Sequence, residues 1–332
     1  SDKNVDTGKT VTLSETYAGT DRNNYTITSQ GSTTADITAK AITVTNISAS
    51  NKEYNGNTEA TIDVSLASFT GLVDDDTVTV SATGTFSDKN VDTGKTVTLS
   101  ETYAGTDRNN YTITSQGSTT ADITAKAITV TNISASNKEY NGNTEATIDV
   151  SLASFTGLVD DDTVTVSATG TFSDKNVDTG KTVTLSETYA GTDRNNYTIT
   201  SQGSTTADIT AKAITVTNIS ASNKEYNGNT EATIDVSLAS FTGLVDDDTV
   251  TVSATGTFSD KNVDTGKTVT LSETYAGTDR NNYTITSQGS TTADITAKAI
   301  TVTNISASNK EYNGNTEATI DVSLASFTGL VD

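Results

Sequence analysis

The stretch Thr119-Thr-Ala-Asp-Ile-Thr-Ala-Lys-Ala-Ile-Thr-Val-Thr131 decides how the chain folds. Ala121, Ile123 and Ala125 take alternate positions before Lys126, and Ile128 and Val130 take alternate positions after it. A period of two is the mark of a strand with one buried face. The alternation changes phase by one residue at Lys126-Ala127, and a one-residue slip turns an extended chain over. No Gly, Ser or Pro separates the halves. The reading is therefore of one strand closing a domain and running directly into the first strand of the next, with the buried face reversed.

Working outward, the same stretch recurs because the chain is one unit repeated. The 86-residue segment that opens at Ser1 opens again, unchanged, at Ser87, Ser173 and Ser259. With boundaries at the phase change, residues 1–40 are the C-terminal part of a repeat. Residues 41–126, 127–212 and 213–298 are full repeats, and residues 299–332 are the N-terminal part of another. Such a chain is expected to be a window on a longer array.

Within residues 41–126, alternation marks strands around Ile42 and Val44, from Thr58 to Leu66 (Ala60, Ile62, Val64 and Leu66 on one face), and from Thr77 to Phe86. Further strands fall at Lys95–Tyr103, around Tyr111 and Ile113, and at Thr119–Lys126. Turn formers such as Asn55-Gly56 separate them, and no 3.6-residue period occurs. Six or seven short strands with turns every 8–12 residues predict an all-β fold: a tandem array of Ig-like antiparallel β-sandwich domains. The spacer-free boundary predicts an extended rod. At ~3.3 Å per strand residue plus loops, each sandwich would be about 40 Å long and four would reach ~150 Å.

Composition narrows function. The formal charge is −22 with no basic stripe, which argues against nucleic acid and against anionic membranes. It would keep a long array soluble. No run approaches the ~18 apolar residues of a membrane helix. Cys and His are absent, so disulfides and Cys- or His-based nucleophiles are ruled out. Nothing marks a pair of carboxylates for acid–base work. Catalytic, cofactor-binding and metal residues are all expected to be none, and the chain is not expected to be an enzyme.

Several motifs have a bland and a sharp reading. Gly8-Lys9-Thr10 imitates the end of a phosphate loop, but Lys3 stands where the first Gly is needed and a strand follows instead of a helix. Asp88, Asn90 and Asp92 are spaced as in the start of an EF-hand, yet Gly94 comes one residue late and Leu99 stands at the bidentate Glu position. With Asp160-Asp161-Asp162, these make calcium at a turn or joint the cofactor left open beside solvated turn carboxylates. Tyr17, Tyr25 and Tyr54 read as sandwich residues whose hydroxyls meet backbone, with an aromatic sugar platform as the alternative. Asn24-Tyr25-Thr26 and Asn46-Ile47-Ser48 spell glycosylation sequons, and a Lys–Asn isopeptide crosslink would need a buried Lys, Asn and acid in contact.

Lys52-Glu53-Tyr54-Asn55-Gly56-Asn57-Thr58 resembles the K-x-Y-D-G-x-T signature of the bacterial YDG repeat domain, with Asn55 in place of Asp. GLVDDDTVTVSATGTFSDKNVDTGKTVTL, GTDRNNYTIT and TTADITAK resemble the middle and closing parts of that domain. The resemblance implies Ig-like sandwiches stacked in tandem in large bacterial surface or secreted adhesin-like proteins, and it brings no catalytic residues. The expected role is a structural stalk or filament segment of an extracellular bacterial adhesin that projects a distal region from the cell. The partners are then neighbouring repeats of the same chain, with surfaces or other copies met through regions outside this segment. The alternatives are multivalent weak glycan- or protein-binding repeats and a self-associating biofilm scaffold.

Overall fold

The computed structural model describes residues 2–331. The chain divides into two compact units. One is Ser1–Asn132 with Val150–Ser167 and Glu187–Gln202; the other is Ile133–Asp149 with Ala168–Ser186 and Gly203–Asp332. The fold is all-β: among the described residues the only helical segments are three-residue 3₁₀ turns such as Arg108–Asn110. No helix of the described residues is long and apolar enough to cross a membrane.

In the first unit one full repeat is complete. Its strands are β1 (Lys40–Thr45), β2 (Ser48–Ala49), β3 (Lys52–Glu53), β4 (Glu59–Ala60) and β5 (Ile62–Asp63). They continue as β6 (Ser68–Thr70), β7 (Thr79–Phe86), β8 (Asp92–Ala104), β9 (Tyr111–Thr114) and β10 (Ser118–Thr124). Three strands form one sheet in the order β9-β1-β6, and five form another in the order β3-β10-β8-β7-β4; β2 and β5 pair at the side. Val44 and Ile47 from the first layer meet Phe86, Val97, Leu99, Ala121 and Ile123 of the second in one buried cluster.

The period-two reading holds where the strands are long. Val97 and Leu99 are buried while Thr96, Thr98 and Ser100 face outward, which suits β-branched residues on a solvated sheet face. The long hairpin pairs β7 and β8 antiparallel from Thr79↔Ala104 to Phe86↔Val97. Gly84 lies inside it because a Cβ there would sit 2.4 Å from Ile62 Cδ1 and 2.8 Å from Val97 Cγ1.

Two details differ from the sequence reading. Thr58–Leu66 is not one strand: β4 joins the five-stranded sheet and β5 pairs with β2. Asp63 then ends the run by accepting the Ser65 N–H (2.8 Å), an Asx turn that leaves Leu66 76 % exposed instead of inward. In addition, not every ladder is antiparallel. β1 runs parallel to β9 and β3 runs parallel to β10, because the incoming and outgoing segments travel the repeat in the same direction.

The boundary behaves as its alternation predicts. Ala121 and Ile123 are buried on β10, and Ile128 and Val130 are buried on the next strand, β11 (Lys126–Thr131). β11 is the middle of a second three-stranded sheet, between β12 (Ser154–Thr156) and β13 (Tyr197–Thr200). Ile128, Val164 and Tyr197 join the same buried cluster as Tyr54 and Phe86, so the apolar core runs through the boundary without a break.

The second unit contains the repeat 213–298 in full, with the same strand orders. Its core is Val216, Ile219, Phe258, Val269, Leu271, Ala293 and Ile295.

Candidate functional site at the junction between repeats

The most heavily built polar cluster of the first unit lies where one repeat meets the next. It begins with the loop after β3. Lys52 reaches across this loop and donates to Asn55 Oδ1 (3.0 Å), the Asn57 main-chain oxygen (2.8 Å), Asn57 Oδ1 (2.8 Å) and the Glu59 main-chain oxygen (3.0 Å). Its ammonium also lies 5.4 Å over the Phe86 ring, and burial holds its pKa below the ordinary lysine value. Fixed in this way, the loop presents Tyr54 and Gly56 to the following repeat. Gly56 is left-handed (φ +81°), and a Cβ there would be 2.8 Å from Val159 Cγ1, so the loop backbone packs directly on that side chain.

Asp162 lies at the centre, with its side chain only 2 % exposed. Tyr54 and Tyr197 both donate their hydroxyls to Asp162 Oδ2, at 2.7 and 2.5 Å, and Lys89 donates to Oδ1 at 2.8 Å. Tyr54 and Lys89 come from the repeat before the boundary, Asp162 and Tyr197 from the one after it. The two rings meet edge to face with centroids 5.4 Å apart, and the Lys89 ammonium lies 5.9 Å from the Tyr54 ring centre. Tyr197 Oη also accepts the Val159 N–H (3.1 Å). Asp161 holds a left-handed φ of 67°, which turns the run so that only its third carboxylate points inward.

A second layer of contacts flanks this one. The Val91 N–H donates to Asn196 Oδ1 (2.9 Å), the Asn196 amide donates to Asn90 (3.2 Å), and Lys89 is also 3.4 Å from Asp193.

The electrostatics follow from that enclosure. Burial pushes the Asp162 pKa up, but the bonds from Lys89, Tyr197 and Tyr54 outweigh it and hold the carboxyl below its ordinary value. Lys89 is raised by its bond to Asp162, and Tyr54 and Tyr197 are raised by burial and then by the same carboxylate.

The second unit repeats the arrangement. Tyr140 and Tyr283 donate to Asp248 Oδ2 at 2.7 and 2.5 Å, Lys175 donates to Oδ1 at 2.9 Å, and the Val177 N–H donates to Asn282 at 2.9 Å. Near the start of the chain, Lys3 and Tyr111 donate to Asp76 at 2.7 and 2.6 Å. There the lysine side chain is 68 % exposed, against 39 % for Lys89.

Each residue singled out from sequence now has a place. Tyr54 is buried, but its hydroxyl donates to a carboxylate instead of backbone; Tyr17 and its copy Tyr103 donate to Glu15 and Glu101, while Tyr25 is 73 % exposed, contrary to the sandwich reading, and only its copies, such as Tyr111, are buried. Asp88 pairs with Lys95 (2.9 Å) and accepts the Asn90 N–H, and the Asp92 carboxylate accepts the Thr93 N–H. Among the described residues no three acidic side chains converge as a metal site. Gly8-Lys9-Thr10 lies within a strand, Asp6–Thr12. Of the sequon asparagines, Asn24 is exposed although its copy Asn196 is buried at the junction, while Asn46 is left-handed (φ 64°) and donates to Ser68 Oγ. The oxygens around Lys52 belong to amides and the main chain. Sequence reading missed Lys89, Asp162 and Asn196 as a cluster; the signal was present only as charged and amide residues at turns.

A family profile for the YDG domain matches residues 38–121, 124–207 and 210–293, and the chain belongs to that family. No curated protein matches it. Among solved structures, the chain has a TM-score of 0.23 and 10 % identity to a crystal structure of Drosophila N-cadherin EC1-3, over 78 % of this chain and 98 % of that one.

Proposed function

We propose that this chain is a structural segment of the stalk of a bacterial cell-surface adhesin, without enzymatic activity, in which each YDG repeat adds a fixed length. The observation that carries the reading is the junction. Asp162, a carboxylate almost wholly removed from water, takes its three side-chain donors from both sides of a repeat boundary, and the apolar core is continuous beneath it. A joint between freely swivelling beads has no reason to bury an ion pair. Burying one costs several kcal/mol unless its geometry is held, so the arrangement favours one fixed relation between neighbours. A chain that spaces a distal binding region from a cell needs that property. Partners are then the neighbouring repeats, and the location is extracellular.

The test is solution X-ray scattering on chains of one, two and three repeats, with calcium and with chelator. A constant increment of maximum dimension per repeat in both conditions is the expected result. A three-repeat chain no longer than a two-repeat chain would overturn the stalk. Shortening only with chelator would transfer the stiffening to calcium.

A further inference from the structure

We propose that the incoming and outgoing segments of each repeat form a shear clamp, so that the repeat bears tension along the array as well as setting its length. In the first repeat, residues 40–54 lie beside residues 111–124 in parallel. The backbone ladder pairs Lys40↔Tyr111 through Thr43↔Thr114, and then Lys52↔Ile123 and Glu53↔Thr124. Between these ladders, side chains supply the missing bonds. The Ile47 N–H donates to Gln116 Oε1 (2.8 Å) and the Gln116 amide donates back to the Ile47 oxygen (2.7 Å). The Asp122 N–H donates to Asn51 Oδ1 (2.7 Å), and the Asn51 amide donates to Asp122 Oδ2 (3.2 Å). The Tyr54 N–H closes the row on the Thr124 oxygen at 2.8 Å.

The direction of load makes this row a clamp. The chain enters the repeat at β1, beside the contacts that Lys3 and Val5 make with Asp76 and Asn110. It leaves at β10, beside the contacts of Tyr54 and Lys89 with Asp162. Tension therefore pulls residues 40–54 backward and residues 111–124 forward, along the shared axis of two parallel segments. Bonds that run across the axis of pull, evenly spaced and slanted as in a parallel ladder, are loaded together and must fail together, whereas a hairpin pulled open at one end loses them singly. The second unit carries the same row: Lys212↔Tyr283 to Thr215↔Thr286, Ile219 with Gln288 in both directions, Asn223 with Asp294, and Lys224↔Ile295. The junction fits this use, since it passes force from β10 into the next repeat through buried contacts.

The clamp rests on the stalk reading for its biological use but is tested separately, by single-molecule force spectroscopy on the full chain. Held by its ends, the chain should give equal unfolding peaks from its complete repeats. Each should release roughly 260 Å, from 86 residues at about 3.5 Å less a folded length of about 40 Å. The chain has no cysteine, so Ser81→Cys with Thr102→Cys gives attachment points on paired residues of the β7–β8 hairpin and pulls it open bond by bond. The end-to-end force should exceed the hairpin force by about twofold or more, because several bonds share the load at once. Replacing Gln116 and Gln288 by Ala should lower the end-to-end peaks of their two repeats by roughly a quarter through loss of bridging bonds, whereas Thr83→Ala should not. Equal forces in the two pulling geometries would overturn the clamp, as would unchanged peaks in a folded Gln-to-Ala chain. Weak peaks from a chain that scatters as an extended array would sink the clamp and leave the stalk standing. Failure of the length increment in scattering would sink the stalk and leave the force comparison intact.

Discussion

Tyr54 and Tyr197 donate to the same oxygen of Asp162, Tyr54 from across a repeat boundary and Tyr197 from within the same copy. One carboxylate thus counts two domains at once. Tyr197 also takes the Val159 N–H, so the phenol is both donor and acceptor and its ring has one orientation. The edge-to-face contact of the two rings then fixes Tyr54.

Removing that carboxylate should uncouple neighbours more than it unfolds them. Asp162→Ala with Asp248→Ala leaves two hydroxyls and a lysine at each junction without their acceptor, a loss of about 1–3 kcal/mol of coupling per junction. In urea, the wild-type array is expected to unfold in one steep transition, and the double variant in a broader one with a smaller apparent slope. An unchanged slope and midpoint would refute the coupling.

The pH dependence of the junction has a sign on each side. The folded Asp162 pKa lies below its ordinary 3.8, so its contribution is complete above that value and is lost as the pH falls through the depressed one. Lys89, Tyr54 and Tyr197 are raised above 10.5, 10.0 and 10.0, so their contributions are complete below those values and are lost as the pH climbs through the raised ones. A stability plateau from roughly pH 4 to pH 10 follows. Other carboxylates also titrate in acid, so the informative quantity is the difference between wild type and Asp162→Asn/Asp248→Asn in urea midpoint against pH. That difference should shrink below the plateau; a constant difference down to pH 2 would contradict it.

Much of the sandwich was legible because strand burial is a local property. Val97 and Leu99 need only their alternation with Thr96 and Thr98 to be placed inward, and Lys126-Ala127 shows its phase change in adjacent letters. Leu66 was misplaced because the alternation continues past the point where Asp63 turns the backbone, and an Asx turn outranks a periodic pattern once its N–H partner is in reach. The parallel rows were illegible for another reason: Asn51 and Asp122 stand 71 residues apart, and no local signal sets such a register. The junction was hidden in the same way. Asp162 read as a solvated turn carboxylate, and only the fold reveals that its turn faces the one carrying Lys89 and is buried against it.

Gly84 tests the packing between the layers. Its φ is not in the left-handed region, so Gly84→Ala introduces a steric effect and no backbone strain; the added methyl would fall 2.4 Å from Ile62 and 2.8 Å from Val97. With Gly170→Ala and Gly256→Ala, the overpacking should cost about 1–3 kcal/mol per repeat and lower the melting temperature accordingly. Ser100→Ala, on the outward face of β8, should leave it nearly unchanged. Equal melting temperatures for the two sets would show that the layers relax around the extra carbon.

Lys52 offers the sharpest separation between loop and junction, because it touches no residue of the next repeat yet organises the loop that does. Lys52→Met keeps an apolar stem against Phe86 while leaving the oxygens of Asn55, Asn57 and Glu59 without their common donor. The direct loss should be modest, about 1–2 kcal/mol, since water can reach part of the loop. The indirect effect should be larger. Gly56 and Tyr54 are positioned by that loop, and a small displacement there spoils both the contact with Val159 and the hydrogen bond to Asp162. With Lys138→Met and Lys224→Met added, the urea transition should broaden nearly as much as in the Asp162→Ala/Asp248→Ala chain. Combining the two sets should then add little, because both act on one junction. Additive broadening would mean that the lysine stabilises its own repeat and leaves the junction alone.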